Sequence, residues 1–132
     1  MPRYPDHDPE NRCGRYILDR GGNPVPEPDL IKWGLWLERS YQDGTHWIAH
    51  DELRDGHFVS TVFLGVDHSF CEGEPPILYE TMAFNDCGSL DTEWNGERYA
   101  TREEALAGHA AALSELKLRL SASATPSADP SL

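Results

Sequence analysis

The sequence predicts a single α+β domain: an antiparallel sheet of three main strands plus a small hairpin, packed with two helices in the core order α-β-β-β-α. Three observations carry this expectation. Apolar residues recur at helical spacing in two stretches, one early and one late in the chain. Between them lie three runs rich in β-branched and aromatic residues, bounded by Gly, Asp, Asn and Pro. With 132 residues, 39% of them hydrophobic, the chain can fill one modest core and not two.

Residues 1–14 are polar and Pro-rich and read as an extended arm ahead of a domain over residues 15–120. Tyr16-Ile17-Leu18 suits a short strand, and Arg20-Gly21-Gly22-Asn23-Pro24 a turn. Pro24, Pro26 and Pro28 then space the chain out before the first helix. That helix starts near Pro28-Asp29, where Pro suits the first turn and Asp the positive end of the dipole. Leu30, Trp33, Leu37 and Tyr41 give its predicted buried stripe, widened by Ile31 and Trp36, and Asp43-Gly44 ends it.

Three strands follow. His46–Leu53 alternates weakly, and Arg54-Asp55-Gly56 makes a tight turn. His57–Val66 is the strongest strand signal, with Gly65 marking a bulge or a close backbone approach. After a loop, Ile77–Phe84 is the third. Both later strands are apolar on alternating faces, which predicts a central hairpin covered on one side and partly shielded on the other. Thr92-Glu93-Trp94 and Glu97-Arg98-Tyr99 flank Asn95-Gly96 as a small hairpin with a type I′ turn. Thr101 and Glu104 form a capping box for a helix from about Arg102 to Leu120. Leu106, Ala110, Leu113, Leu116 and Leu120 are its predicted buried face, and Gly108 inside it costs about 1 kcal/mol against Ala. The Ser/Ala/Pro-rich residues 121–132 read as a disordered tail.

Charge narrows the function. Net charge is −12, and between Ser40 and Glu97 twelve acidic residues face one basic residue, Arg54, so that stretch holds −11 of it. Direct nucleic-acid binding is disfavoured, because phosphates must be met by basic side chains. An acidic surface keeps a small domain soluble, and it also suits a protein partner with a basic surface. Cys13, Cys71 and Cys87 give no CxxC pair and no disulfide framework, which fits a reducing compartment. No apolar run approaches the roughly 20 residues that span a bilayer, so no membrane role is expected and the location reads as cytoplasmic.

The strings YILDRGGNPVPEPDLIKWGLWLE, VSTVFLGVDHSF, PPILYETMAF and ERYATREEALAGH, over most of residues 16–110, together resemble a family of small uncharacterised bacteriophage and prophage proteins. The resemblance carries no activity, cofactor or substrate. It implies a phage-like setting, with the host cytoplasm as location, where small acidic proteins bind and block host proteins.

Asp67-His68 lies where the strongest strand runs out into a loop, and a carboxylate beside a His can orient an imidazole for acid–base work. Glu80 and Thr81 on the facing strand, and Ser60 and Thr61 on the same strand, would join them if the register allows. The ordinary alternative is that Asp67 caps a turn and that Glu80 pairs with Arg54 or Arg98. Glu72 and Glu74 in the adjoining loop are candidate partner contacts. His68-x-x-Cys71, with Cys87 beyond, is half a zinc motif without its second half; His46, His50 and His57 could add ligands, but scattered surface histidines and buried thiols are the expectation, and no metal or cofactor is predicted. Trp94, beside the hairpin turn, is the Trp expected to be exposed. GxSxG, GxGxxG, HExxH and a Gly-rich phosphate loop are all absent. The leading expectation is a non-enzymatic accessory protein that binds, and by binding inhibits, a host defence or nucleic-acid-handling protein. The alternatives are a small-molecule or nucleotide-binding protein, with hydrolysis through Asp67, His68 and Glu80, and an assembly component that forms homo-oligomers.

Overall fold

A computed structural model describes residues 14–69, 75–85 and 96–124. The order is β1 (Tyr16–Leu18), β2 (Pro24–Pro26), α1 (Leu30–Asp43), β3 (Trp47–Glu52), β4 (Phe58–Phe63), β5 (Tyr79–Phe84), β6 (Glu97–Tyr99) and α2 (Arg102–Ala124). The α+β class is as the sequence predicts, with a different count and pairing of strands. β3-β4-β5-β6 form one antiparallel sheet in chain order, and β1-β2 form a separate two-stranded ribbon. The three-residue segment at 97–99 is therefore the fourth strand of the main sheet. Thr92–Trp94, the other arm of the expected hairpin, lies outside the described residues, as do the arm to Cys13 and the tail from residue 125.

The prolines do more than space the chain. Pro24 and Pro26 pair with Leu18 and Tyr16, respectively, across the ribbon. Pro is admissible there because each strand of a two-stranded ribbon has a free edge toward which a position without a donor can face. Asp19 closes the turn, its Oδ1 accepting from the backbone N–H groups of Gly21 and Asn23, each at 2.9 Å.

α1 begins where Asp29 accepts from the N–H groups of Ile31 and Lys32, and it ends at Gly44, whose φ of 80° is the left-handed cap. Its inner side differs from the predicted stripe. Trp33 donates its indole N–H to the Gly65 carbonyl at 2.9 Å, and Trp36 packs edge-on to Phe63. Leu30, Ile31, Leu35 and Tyr41 instead face outward, all more than half exposed. The helix packs mainly on the β1-β2 ribbon and not across the main sheet. Gly65 lets it approach: a Cβ there would sit 3.0 Å from Leu37, and its φ is 76°.

α2 alone among the described helices spreads over the main sheet, touching all four strands. The capping box forms as predicted, with Thr101 Oγ1 accepting from the Glu104 N–H and Glu104 Oε1 accepting from the Thr101 N–H. The helix runs four residues past the expected end. Its buried residues are Ala105, His109, Ala112 and Leu116, while Leu106 and Ala110 are exposed. The inner face is thus rotated from the predicted one. Small residues let the helix lie close to the sheet, and a pattern read from bulky side chains misses them. Two apolar clusters result, one joining Tyr16, Leu18, Phe63, Leu78, Tyr79 and Ala105, the other Val59, Ala83, Ala112 and Leu116.

Candidate functional site

The register decides which predicted site residues meet. In β4 and β5, Thr61 stands opposite Thr81 and Val62 opposite Glu80. Successive side chains point to opposite faces, so Glu80 and Thr81 part company. Glu80 takes a hydrogen bond from Arg98 at 2.8 Å, one of the two pairings anticipated for it. Thr81 is wholly buried beneath α2. Asp67 does not orient His68. Its carboxylate accepts from the backbone N–H groups of Ser69 and Ile77 at 2.8 and 2.9 Å and from the Ser69 hydroxyl. This ties the loop after β4 to the start of β5. His68 directs Nδ1 to the Val66 carbonyl at 2.8 Å. The six residues anticipated as a catalytic group are therefore not gathered. Glu72 and Glu74 lie outside the described residues, as do Cys13, Cys71, Cys87 and Trp94.

The histidines are likewise separated. His46 is buried, with both its backbone N–H and Nδ1 directed to the Ser40 carbonyl at the end of α1. His50 lies on the sheet. Among the described residues no three His, Cys, Asp or Glu side chains gather as metal ligands. Nor is any described helix long and apolar enough to cross a membrane.

Two arrangements emerge that the sequence reading missed. The first lies under α2. His109 Nε2 meets Asp51 Oδ2 at 2.8 Å, His109 Nδ1 meets the Thr61 hydroxyl at 2.7 Å, and Thr61 meets the Thr81 hydroxyl at 2.5 Å. Tyr99 stands on the same sheet face as Thr81. A hydroxyl, an imidazole and a carboxylate in line have the composition of an activated nucleophile. Thr61 and Thr81 are, however, completely buried, so no substrate reaches either oxygen. The row instead satisfies polar groups inside the helix–sheet interface, where an unpaired hydroxyl would be costly. Gly108 belongs to the same place: a Cβ on it would lie 2.0 Å from the Tyr99 hydroxyl oxygen. The helix carries a glycine there because the phenol occupies that space.

The second arrangement is the sheet face turned away from α2. Alternation and register put Trp47, His50 and Glu52 of β3, Phe58, Ser60 and Val62 of β4, and Glu80, Met82 and Phe84 of β5 on this side, with Ser60 buried among them. A bulge between Trp47 and Ala49 keeps Trp47 on this face while Ile48 packs on the core. The rings form a continuous row. Trp47 stacks on His50 at 4.7 Å, His50 lies 5.2 Å from Phe58, and Phe58 stacks on Phe84 at 4.6 Å. At the other end, His46 links Trp47 to Tyr41 of α1. Trp47 is 49% exposed, and His50, Phe58 and Phe84 are half-buried.

Comparison with family models, curated proteins and solved structures finds no match to this chain. The open face is accordingly weighed on its own chemistry. It offers apolar aromatic area on a rigid sheet, with Glu52 and the Glu80–Arg98 pair beside it, built by the same segment that concentrates the negative charge. A pocket for a small substrate is a different thing. The groove between β6 and α2, about 370 Å³ and lined by Glu97, Tyr99, Gly108, Ala111, Ala112 and Glu115, is open.

Proposed function

We propose that this protein is a non-enzymatic binding module whose contact surface is the open, aromatic face of the β3–β6 sheet and whose partner is a protein with a basic surface. The observation that carries the reading is the ring row Trp47–His50–Phe58–Phe84 on a sheet face that no described helix covers. Aromatic residues at the centre of a patch with charge at its margin are the usual anatomy of an energetic hot spot. Acidic residues around it steer a basic partner and repel nucleic acid. A base stacked on these rings would bring its phosphate into a strongly negative field, which opposes the use of such a row as a single-strand platform. The specific form of the reading is an accessory protein of phage type, acting in the host cytoplasm, that occupies the nucleic-acid-binding surface of a defence or replication protein. Its supports are the charge and the sequence resemblance.

The test is a titration followed residue by residue by NMR. An amphipathic peptide rich in Arg and Lys should shift Trp47, His50, Phe58 and Phe84 and leave α2 unmoved, with the effect shrinking as salt rises. Trp47→Ala combined with Phe84→Ala should weaken it at least tenfold while the circular dichroism stays the same. An acidic peptide of the same apolar pattern should not bind. Perturbation of this face by a single-stranded oligonucleotide, or none by the basic peptide, would overturn the proposal.

A further inference from the structure

The main sheet has two edges, and they differ in length. β6 presents three residues and β3 six. On β3 the phase of the ladder is set at its far end, where the Leu53 N–H donates to the His57 carbonyl at 2.6 Å. Antiparallel residues alternate between bonded and open pairs. Asp51 and Ala49, opposite Val59 and Thr61, therefore bond to β4, while His50 and Glu52, opposite Ser60 and Phe58, turn N–H and C=O away from it. Among the described residues nothing takes up these backbone groups. Nearer α1 the edge is closed, because the Trp47 N–H donates to the Gly44 carbonyl at 3.1 Å and the bulge follows it.

Side chains along the open part carry charge of one sign. Glu52 lies on the aromatic face, and Asp51, 51% exposed, on the other. Among the described residues neither carboxylate pairs with a Lys or Arg. An unpaired edge is a template for another chain. A second copy suits it badly. The symmetric register in which His50 and Glu52 face each other sets Asp51 directly against its counterpart, and like charges placed so destabilise. A strand with cations opposite these carboxylates reverses the sign.

We infer, on the reading of the open face as the contact surface, that an extended segment of the basic protein partner adds to β3 as a fifth antiparallel strand. Cations stand opposite Glu52 and Asp51, and an aromatic side chain opposite His50 prolongs the ring row. Main-chain hydrogen bonds hold the segment and alternate side chains select it. Its residues opposite Glu52 and His50 exchange backbone bonds with β3, and the residue between them points its N–H away.

The probe is a seven-residue peptide with Arg-Lys-Tyr at its centre, added to the full chain and followed by NMR. At saturation the amides of His50 and Glu52 should exchange with solvent at least several-fold more slowly. N-methylation of the peptide at Arg and Tyr, whose N–H groups face β3, should weaken binding roughly tenfold. N-methylation at Lys should leave it unchanged. Ring shifts at Trp47 and Phe84 with unaltered exchange at His50 and Glu52 would overturn the strand and leave the face standing as the contact. No binding at all would overturn both. Equal weakening by the two methylated peptides, or protection of His50 and Glu52 that grows with protein concentration and no peptide, would also overturn the strand.

Discussion

Gly108 and Tyr99 show how one residue's meaning depends on its neighbour. In an isolated helix, replacing Gly by Ala gains about 1 kcal/mol. Here the new methyl would lie 2.0 Å from the Tyr99 hydroxyl oxygen and 2.3 Å from the ring carbon that bears it. Tyr99 packs against α2 beside Gly108, and burial raises its pKa. Gly108→Ala should therefore destabilise, by about 1–3 kcal/mol as overpacking usually does. A thermal melt gives the sign directly, and a stabilised variant would mean that Tyr99 has room to move.

At the scale of elements, Thr101 is the sharpest case. Its hydroxyl caps α2 and its backbone is capped in return by Glu104. Thr101→Ala should cost about 1 kcal/mol in denaturant unfolding, since α2 is the cover of the sheet and its first turn cannot fray unnoticed. Such local signals were legible in the chain: the Asp29 start and Gly44 stop of α1, the capping box, the turn at 54–56 and the close approach at Gly65. What could not be read were the facts that depend on a second element. Pro24 and Pro26 look like breakers until β1 lies beside them. Of the predicted inner face of α2, Leu116 is buried and Leu106 and Ala110 are exposed, while Ala105, His109 and Ala112 reveal themselves only against the sheet. Register was the largest gap. Without knowing that Thr61 faces Thr81, the eye joins Glu80 to Asp67, and the cross-strand meeting of Phe58 with Phe84 stays hidden. His50, expected to be one of several scattered surface histidines, is a ring in a stack.

For the molecule as a whole, alkaline pH probes the core. Tyr79 is fully buried, and burial pushes its phenol up to about 12. The unfolded residue titrates near 10. A raised value means that the folded state still holds its proton where the unfolded chain has released it. Stability is therefore untouched by this group below pH 10, falls as pH rises from there, and has lost the whole contribution past about 12. Tyr99, shifted the same way, adds to the loss. The part of the tyrosinate absorbance that Tyr79→Phe removes should rise together with loss of circular dichroism, as one cooperative step. That part rising on an intact fold near pH 10 would contradict the burial. In Tyr79→Phe, which removes a buried hydroxyl unpaired among the described residues, the alkaline decline should be smaller.

α2 is also last in chain order among the described elements. Every residue it covers, from Asp51 to Tyr99, precedes His109 in the chain. Until α2 docks, Thr61 and Thr81 have only each other and water. The two faces then differ in fate: one is closed when α2 docks, and no described helix closes the other. Until α2 arrives the sheet is open to the wrong company on both.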